Sequence, residues 1–379
     1  MKLESIRARS LVIPFKTAFR HASAERAETQ TVWIEARGAH GATGYGEGCP
    51  REYVTGESLG SASAFCSSYE REWLECVTDV ETLKRWADAH VGEIDGNPAA
   101  WCAVELALLD LFGRSEGTAV ERLLGQPELS GRFRYTAVVG DADPPQFEAQ
   151  LKHYLKAGFG VFKIKLSGDA DRDASKVRAL SDAGVAGHAV RADANNLWRS
   201  ADVALAHLSR LGFSFYALEE PLQAGDNAGL ARLAAELDTH VVLDESVLGR
   251  AQLDRLQDVA DTWIVNVRVS KMGGLTRSLA LLPELRRRGI GLIVGAQVGE
   301  TSVLTRAALT VAAAGRDILI AQEGAFGTHL LAHDVVDTPL MFGAGGMLDA
   351  GAVDSGLGGF GLSVSVVPSD VAELPKPGT

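Results

Sequence analysis

The first third of the chain changes its pattern of apolar and polar residues at about residue 56. Before that point the residues alternate with a period of two, in KLESIRARSLVI and then in TQTVWIEARG and GATGYGEGC around the turn-forming GAHGA. This alternation predicts strands. From about residue 56 to 125 the apolar spacing becomes helical, with Asn97 and Pro98 as the predicted cap and first-turn proline of the helix AAWCAVELALLDLFG. An α+β segment therefore comes first in the chain.

Short β-branched runs recur from about residue 133 onward, and amphipathic helical stretches such as DRDASKVRALSDAG separate them. The eight runs are FRYTAVVG, GVFKIKL, GHAVRAD, FSFYALEEP, HVVLDE, DTWIVNV, GLIVGAQ and DILIAQE. Strand–helix units whose strands are too apolar to have a wet face predict a parallel β-barrel wrapped in helices. An open doubly wound sheet is the alternative. We prefer the barrel because no Gly-rich dinucleotide turn follows any of these strands.

The predicted fold class is therefore α/β, a (β/α)8-type barrel with an α+β capping domain. The capping domain is predicted over residues 1–128 and the barrel over residues 129–325. The regular alternation stops after residue 325, so we expect residues 326–379, with their Gly-rich run GAGGMLDAGAVDSGLGGFGLSVSV, to return to the capping domain. A length of 379 residues suits one large domain with a smaller companion.

Charge and composition narrow the range of partners. The net charge is −12 and Lys and Arg are not concentrated in one region, so nucleic acid is not an expected partner. The four cysteines show no CxxC spacing, which favours reduced thiols over a zinc site or disulfides. The N-terminus lacks the apolar core of a signal peptide, and no stretch approaches about 18 uninterrupted apolar residues. We expect a soluble cytoplasmic protein, with no membrane partner, that acts on small molecules.

One polar residue stands at the end of each predicted barrel strand from the second to the eighth. These residues are 25 to 28 positions apart, and they are Lys165, Asp193, Glu219, Asp244, Lys271, Gln297 and Glu323. The C-terminal ends of the strands carry the chemistry of such barrels. We therefore expect these side chains at one height around one mouth.

Three of these residues, Asp193, Glu219 and Asp244, are acids on consecutive strands. Their carboxylates offer the hard oxygen ligands that Mg²⁺ prefers, and no His or Cys joins them to indicate zinc. The alternative is that they cap strand ends or pair with Lys and Arg of the loops. Clustered carboxylates without a cation would repel one another, which favours the metal.

Lysines flank the acids on both sides. Lys163 and Lys165 share one face of the second strand because they are two residues apart, and Lys271 ends the sixth strand. A lysine is a base only when it is neutral, and Lys163 together with a divalent cation would lower the pKa of Lys165. Two lysines on opposite sides of a metal could exchange a proton with either face of a carbanion. The alternative for each is a solvated strand-end charge.

Five motifs at these strand ends resemble those of the muconate lactonizing enzyme subgroup of the enolase superfamily. They are KIK at 163–165, RADANN at 191–196, LEEPL at 218–222, DES at 244–246 and SKMGG at 270–274. The resemblance implies that Lys165 and Lys271 are an acid/base pair, and that a magnesium ion helps to stabilise an enediolate formed by removal of an α-proton. Mandelate racemases would carry a His at the end of strand seven, where this chain reads GAQVGE.

The resemblance also implies where substrate specificity resides. The segment PFKTAFRHASAER looks like the mobile loop of dipeptide epimerases, which makes Arg20 and His21 candidate substrate contacts, with a solvated loop charge as the alternative. Residues 49–58 would supply a second wall through Tyr53 or Thr55. Further candidate substrate contacts in the barrel are Asn195 and Gln297.

Glu323 at the end of strand eight could pair with a substrate ammonium group. Dipeptide epimerases hold that amine with a DxD motif, whereas this chain reads AQEGAFGTH, and this departure puts a dipeptide substrate in doubt. The alternative is that Glu323 pairs with a Lys or Arg of the barrel.

We expect one Mg²⁺ per chain, which Mn²⁺ could replace, and a small carboxylate substrate derived from an amino acid. Racemisation or epimerisation of an amino-acid derivative or dipeptide ranks first. Dehydration of a β-hydroxy amino acid such as cis-3-hydroxyproline, or a muconate-type cycloisomerisation, would use the same residues. A barrel kept only as a binding module is disfavoured because the whole constellation is present. A homo-oligomer is implied by the resemblance.

Overall fold

The computed structural model describes residues 1–21, 24–256, 259 and 261–375, and it describes the side chains of these residues except those of 18–25 and 355. The chain begins with strands β1 (Leu3–Leu11), β2 (Pro14–His21), β3 (Ala24–Glu28), β4 (Thr31–Gly38) and β5 (Thr43–Gly48). β1, β4 and β5 form an antiparallel sheet, and β2 and β3 form a separate hairpin.

Helices cover this first sheet. They are α1 (Glu52–Thr55), α2 (Leu59–Cys76), α3 (Val80–Ala89), α4 (Val91–Gly96), α5 (Pro98–Glu116) and α6 (Val120–Leu123). Every residue of α5 from Pro98 to Gly113 is buried. Asn97 and Pro98 stand at the predicted start of α5, but the Asn97 side chain makes no cap bond and donates instead to the Glu93 carbonyl at 3.2 Å.

Three glycines on one face of β5 allow α5 to lie directly on the strand. A Cβ atom at Gly44, Gly46 or Gly48 would stand 1.9 to 2.2 Å from the carbonyl oxygens of Ala107, Ala103 and Ala99. No side chain fits at such distances, so the alternation of glycine in TGYGEG fixes how closely the helix packs.

The second part of the chain alternates strands and helices. Its strands are β6 (Arg132–Arg134), β7 (Ala137–Val139), β8 (Phe162–Lys165), β9 (Val190–Asp193), β10 (Ala217–Glu219), β11 (His240–Leu243), β12 (Trp263–Val267), β13 (Gly291–Val294) and β14 (Leu319–Gln322). Its helices are α7 (Pro144–Lys156), α8 (Ala170–Asp182), α9 (Ala201–Leu211), α10 (Asn227–Leu237), α11 (Arg250–Leu253), α12 (Leu275–Arg288) and α13 (Ser302–Ala314).

Strands β7 to β14 pair in chain order, and every pair is parallel. The Thr136 N–H, next to β7, donates to the Gln322 carbonyl of β14 at 2.8 Å and so links the first strand to the last. The predicted (β/α)8-type barrel with an α+β cap is confirmed, and the open doubly wound alternative is excluded because that fold reverses its strand order.

The run FRYTAVVG, predicted as one barrel strand, forms two strands with different partners. β7 belongs to the barrel, whereas β6 pairs antiparallel with β15 (Met347–Asp349). The last described strand, β16 (Val371–Glu373), pairs antiparallel with β1 of the first sheet. Among the described residues, no helix combines the length and hydrophobicity that a membrane crossing requires.

Two buried glutamates of the first part bind the N-termini of barrel helices. Glu47 of β5 accepts bonds from the N–H and hydroxyl of Thr301, at the start of α13. Glu105 of α5 accepts bonds from Leu275 N–H and from Thr276, in the first turn of α12. Carboxylates are favourable at these positions because the first N–H groups of a helix have no partner within it.

Candidate active site

Strand pairing brings the predicted site residues together at one end of the barrel. Lys165 of β8 pairs with Asp193 of β9, and Asp193 pairs with Glu219 of β10, so the three stand side by side. Asp244 follows β11 and lies two positions beyond Val242, the residue that pairs with Glu219. Such an offset is the stagger that closing a barrel requires.

Two cations connect the three buried carboxylates. Lys163 Nζ lies 3.0 Å from Glu219 Oε2 and 3.5 Å from Asp193 Oδ2. The Arg268 guanidinium contacts Asp244, and its Nη2 lies 3.8 Å from Glu219 Oε1. The carboxylates therefore form one cluster, with Glu219 in the middle.

The donor chemistry of this cluster fits a hard divalent cation. In the conformation described for residues 1–21, 24–256, 259 and 261–375, no three His, Cys, Asp or Glu side chains are already arranged to hold a metal ion. Lys163 and Arg268 are paired with carboxylate oxygens that a metal would need. Three buried carboxylates on adjacent strands nevertheless supply the oxygen ligands that Mg²⁺ prefers.

Burial, and after it the neighbouring negative charge, act on the pKa of the central acid. Burial raises the pKa of Glu219 to about 7; Lys163 opposes this rise, and the neighbouring Asp193 carboxylate adds to it. The pKa of Asp193 behaves differently: burial raises it, but Lys165 and Lys163 together hold it below its usual range. A cation at the cluster would favour the ionised form of both acids.

Of the three predicted lysines, Lys163 has the most acidic groups around it. Besides its contacts with Glu219 and Asp193, its Nζ donates to Glu323 Oε2 at 2.6 Å. Burial lowers the pKa of Lys163, but Glu219, Glu323 and Asp193 more than offset this and raise it above the ordinary value. Lys163 is thus held as a fixed positive charge.

Lys165 stands beside Asp193 and reaches the mouth of the barrel. Its Nζ donates to Asp193 Oδ2 at 2.5 Å and to Asn195 Oδ1 at 2.7 Å. The Asn195 N–H in turn donates to Asp193 Oδ1 at 3.0 Å. Below it, buried Lys176 donates to the Lys165 carbonyl at 2.7 Å and fixes the end of β8. The side chain of Lys165 is 15% exposed, against 5% for Lys163.

Lys271 lies on the other side of the acids, in the loop after β12. Its Nζ donates to Asp244 Oδ1 at 2.8 Å, to the Asp244 carbonyl at 2.7 Å and to the Asn266 carbonyl at 2.8 Å. The strand order β8 to β12 therefore places Asp193, Glu219 and Asp244 between Lys165 and Lys271. The Lys271 side chain is fully buried, whereas that of Lys165 reaches the mouth of the barrel.

Glu323 is buried and paired with two cations of the barrel. It accepts bonds from Lys163 Nζ and from Arg191 Nη2, each at 2.6 Å. Arg191 also donates to the Thr136 hydroxyl at 3.0 Å. Of the two interpretations that the sequence leaves open for Glu323, the described contacts are those of the ion pair with barrel Lys and Arg.

Arg268 is a site residue that the sequence interpretation missed. Its Nη1 donates to Gln297 Oε1 at 3.0 Å, which is how the predicted residue Gln297 joins the cluster. Burial lowers the pKa of Arg268, but Asp244 and then Glu245 raise it above its usual value. The sequence does contain a signal for Arg268. Asn266 and Arg268 are two positions apart at the end of the otherwise apolar strand β12, and polar residues are uncommon at such interior positions. Arg191, two residues before Asp193, gives the same signal.

Glu220 was also missed, and it supports the loop that carries Asp244. It is buried with φ +40°, and its carboxylate accepts bonds from the N–H groups of Asp244 and Ser246, both at 2.7 Å. Asn196, with φ +58°, donates to the Leu222 carbonyl at 2.6 Å. The second Glu of LEEPL and the second Asn of RADANN thus hold the loops in place.

The capping-domain candidates lie in two places. Arg20 and His21 belong to β2, and their side chains lie outside the described part of the structure. Tyr53 and Thr55 lie in α1, where Tyr53 is exposed. Buried Arg51, just before α1, donates to the Val298 carbonyl beyond β13 at 2.6 Å, and so connects α1 to the end of the barrel that carries the site.

Comparison with known proteins supports the assignment made from the motifs. Residues 146–365, more than half of the chain, match the family model described as enolase C-terminal domain-like. The L-Lys-D/L-Arg epimerase of Methylococcus capsulatus is 30% identical over 318 residues, which cover 83% of this chain and 87% of that protein.

Solved structures have the same fold. The N-succinyl Arg/Lys racemase of Bacillus cereus superposes with a TM-score of 0.83 at 22% identity, covering 96% of each chain. The Methylococcus capsulatus dipeptide epimerase, in a complex with Mg and the dipeptide L-Arg-D-Lys, superposes with a TM-score of 0.80 at 28% identity, covering 96% of this chain and 100% of that one. The resemblance inferred from the strand-end motifs is confirmed, and the chain belongs to the enolase superfamily.

Proposed function

We propose that this protein is a Mg²⁺-dependent isomerase that epimerises or racemises an amino-acid derivative through an enediolate. The observation that carries the proposal is the position of Lys165 and Lys271 on either side of three buried carboxylates. Inversion at an α-carbon requires a proton to leave one face and another to arrive at the opposite face. Lys165 reaches the mouth of the barrel, and Lys271 would serve the second face after its ammonium leaves the Asp244 and Asn266 acceptors.

Six residues of the site have a role in this mechanism. Asp193, Glu219 and Asp244 would hold one Mg²⁺ per chain, which Mn²⁺ could replace, and the ion would supply Lewis-acid stabilisation of the substrate carboxylate. Lys165 takes the α-proton of one enantiomer while Lys271 delivers a proton to the other face, and the roles reverse for the other enantiomer. Lys163, held charged, contributes a fixed positive charge and not a base.

The charge of the site suits an anionic intermediate. Five cations and four carboxylates form one connected network, and they are Lys163, Lys165, Arg191, Arg268, Lys271, Asp193, Glu219, Asp244 and Glu323. When all nine groups are ionised they carry one net positive charge, and a divalent ion would raise it to three. An enediolate dianion would neutralise two of these charges, which is the preorganised stabilisation that α-proton removal needs.

The relatives favour amino-acid derivatives as substrates. One of them is an L-Lys-D/L-Arg epimerase and another an N-succinyl-L-Arg/Lys racemase. A library of dipeptides, N-acyl amino acids, free amino acids and β-hydroxy acids, incubated with Mg²⁺ and again after removal of metal by a chelator, would identify the substrate. Epimerised product that depends on Mg²⁺ supports the proposal. Dehydrated or cyclised product in place of it would assign the same site to a lyase or a cycloisomerase.

Solvent exchange tests the two lysines directly. In deuterated buffer, Lys271→Ala should still exchange the α-proton of one enantiomer through Lys165, and Lys165→Ala only that of the other. Turnover of the full epimerisation should fall at least on the order of 10²-fold in each variant, the low end of general-base contributions. The measurement is deuterium incorporation by NMR, with each variant's Mg²⁺ affinity determined separately because both lysines touch candidate ligands.

A lysine outside the site provides the control. Lys152 of α7 is exposed and pairs with Glu148 at 3.2 Å, so Lys152→Ala should exchange and epimerise like the wild type. If both active-site variants exchanged both enantiomers at the normal rate, neither lysine would be the base.

A further inference from the structure

The Arg268 guanidinium lies between two of the carboxylates that the proposed function assigns to Mg²⁺. It contacts Asp244, and its Nη2 lies 3.8 Å from Glu219 Oε1. Its remaining hydrogen bond in the described part of the chain runs from Nη1 to Gln297 Oε1 at 3.0 Å. A guanidinium and a divalent ion would therefore require the same oxygens.

Lys163 also touches candidate ligands, but its situation is different. It has a further carboxylate partner in Glu323, 2.6 Å from its Nζ and away from the three acids, so it keeps a counter-ion if Glu219 and Asp193 turn to a metal. The carboxylates that Arg268 contacts are both candidate ligands. Mg²⁺ demands near-ideal octahedral geometry at short distances, so a guanidinium on Asp244 and close to Glu219 competes with it for these oxygens.

Glu245 is a further acid whose charge acts on Arg268. This residue follows Asp244 directly, and its Oε2 is buried without a hydrogen-bond partner among the described residues; the same is true of Arg268 Nε. The two groups have opposite charge, and each acts electrostatically on the other. Unpaired buried polar atoms are destabilising, so a guanidinium that turned from Asp244 to Glu245 would relieve both.

We propose that Arg268 is a built-in counter-ion of the metal site that exchanges partners. It holds Asp244 and Glu219 in the metal-free protein and moves to Glu245 when a divalent cation binds, with Gln297 as its pivot. The inference rests on the proposed function because it assumes the same metal site. In such an exchange, only molecules in which the arginine has already moved can bind Mg²⁺. The apparent affinity is therefore the intrinsic affinity multiplied by the fraction of such molecules.

The test is the Mg²⁺ dissociation constant of the full chain, measured by titration calorimetry for the wild type, Arg268→Met, Glu245→Gln and the double variant. The Arg268→Met variant lacks the competing guanidinium, so it should bind Mg²⁺ at least about tenfold more tightly than the wild type. A tenfold difference corresponds to a wild type in which the arginine has already moved in roughly one molecule in ten. Glu245→Gln removes the second place for the arginine and should weaken binding several-fold. In the Arg268→Met background, Glu245→Gln should have little further effect.

The double variant separates partner exchange from simple charge. If Glu245→Gln weakened Mg²⁺ binding equally with and without Arg268, Glu245 would act only through its own charge, and the exchange would be wrong. Unchanged or weaker binding by Arg268→Met would overturn the role of Arg268 while leaving the metal site of the proposed function intact. No Mg²⁺ binding by any of the four proteins would overturn both.

A matched pair on the surface serves as the control. Arg232 and Glu236 of α10 are exposed and lie 2.7 Å apart, so Arg232→Met and Glu236→Gln should keep the wild-type affinity for Mg²⁺. The rise of the melting temperature on addition of Mg²⁺ gives a second measurement that needs no active enzyme. It should be larger for Arg268→Met than for the wild type, because the metal-free variant has lost a cation among buried acids; an equal or smaller rise would contradict the proposal.

Discussion

Lys163 and Lys165 are two positions apart on one strand and have different surroundings. Lys163 is enclosed by Glu219, Glu323 and Asp193, which hold its ammonium charged. Lys165 contacts Asp193 and Asn195, and more of its side chain reaches the mouth of the barrel. The KIK motif places both lysines on one face, but the neighbouring strands decide which of them is suited to carry a proton.

Glu323 should contribute to stability through its two buried ion pairs. Replacing Glu323 with Gln leaves Lys163 and Arg191 without their shared carboxylate, and removal of one partner of a buried pair costs about 3 kcal/mol or more. We expect a clearly lowered thermal midpoint for Glu323→Gln. The surface variant Glu236→Gln should change the free energy of unfolding by less than about 1 kcal/mol.

The same variant decides whether Glu323 contacts substrate. If Glu323→Gln kept the wild-type thermal midpoint but selectively lost substrates with a free amine, Glu323 would be a specificity residue, and its described ion pairs would be energetically unimportant. A loss of stability with unchanged substrate preference would indicate a role confined to the protein interior.

At the scale of elements, β5 and α5 are in close backbone contact. Because the glycines of TGYGEG have no side chains, the backbone of α5 lies directly against β5. Neither element can shift without losing this contact. The same strand carries Glu47, which binds the start of α13. The position of α5 on β5 therefore also determines how the cap meets the barrel.

Gly46→Ala should destabilise the protein severely. A Cβ at this position would lie 1.9 Å from the Ala103 carbonyl oxygen and 2.5 Å from the Ala107 nitrogen, and both are backbone atoms of a buried helix. Overpacking of this kind costs about 1 to 3 kcal/mol and sometimes more. Soluble yield and thermal midpoint measure the effect.

Gly92→Ala is the matched control for Gly46→Ala. Gly92 lies in α4, and an added Cβ would meet no atom within 4 Å. Alanine is the better helix former, so this variant should be neutral or slightly stabilising. Equal midpoints for the two variants would mean that β5 and α5 are less closely packed than described.

For the whole molecule, the cap and barrel are joined by buried acids at helix ends. Burial raises the pKa of Glu47 and of Glu105 to about 7, although their bonds with Thr301 and Thr276 act in the opposite direction. The unfolded chain would release these protons near pH 4.5. The native state therefore binds more protons than the unfolded state between about pH 4.5 and 7.

Stability should consequently fall as the pH rises through that window. Each group contributes a slope of at most roughly 1.4 kcal/mol per pH unit, which is present between the two pKa values and absent above the folded one. The thermal midpoint of Glu105→Gln should decline less steeply than that of the wild type from pH 5 to 7. Glu148→Gln, on the surface, should follow the wild type. Parallel curves for Glu105→Gln and the wild type would contradict the assignment.

Much of the barrel and its acidic cluster could be predicted because both follow from strand periodicity. Asp193 and Glu219 lie at strand ends, and Asp244 directly follows one, so parallel pairing brings them together. Contacts that depend on side-chain reach could not be predicted. Nothing in local sequence says that Arg268 turns to Asp244 and Glu219, or that Glu323 meets Lys163 and Arg191 across the barrel. The division of FRYTAVVG into two strands was missed because its second partner, β15, is more than 200 residues away.

The pairing of β1 with β16 also has a consequence for how the chain is made. Arg9 pairs with Glu373, and the two residues are 364 positions apart. β4 can join one side of β1 early in synthesis, but at roughly 5 to 20 residues per second the ribosome delivers β16 only about 20 to 70 s later. During that interval the outer edge of β1 has unpaired N–H and C=O groups that a strand of another nascent chain could occupy. Misassembly of this protein would therefore begin between nascent chains on neighbouring ribosomes of one messenger RNA.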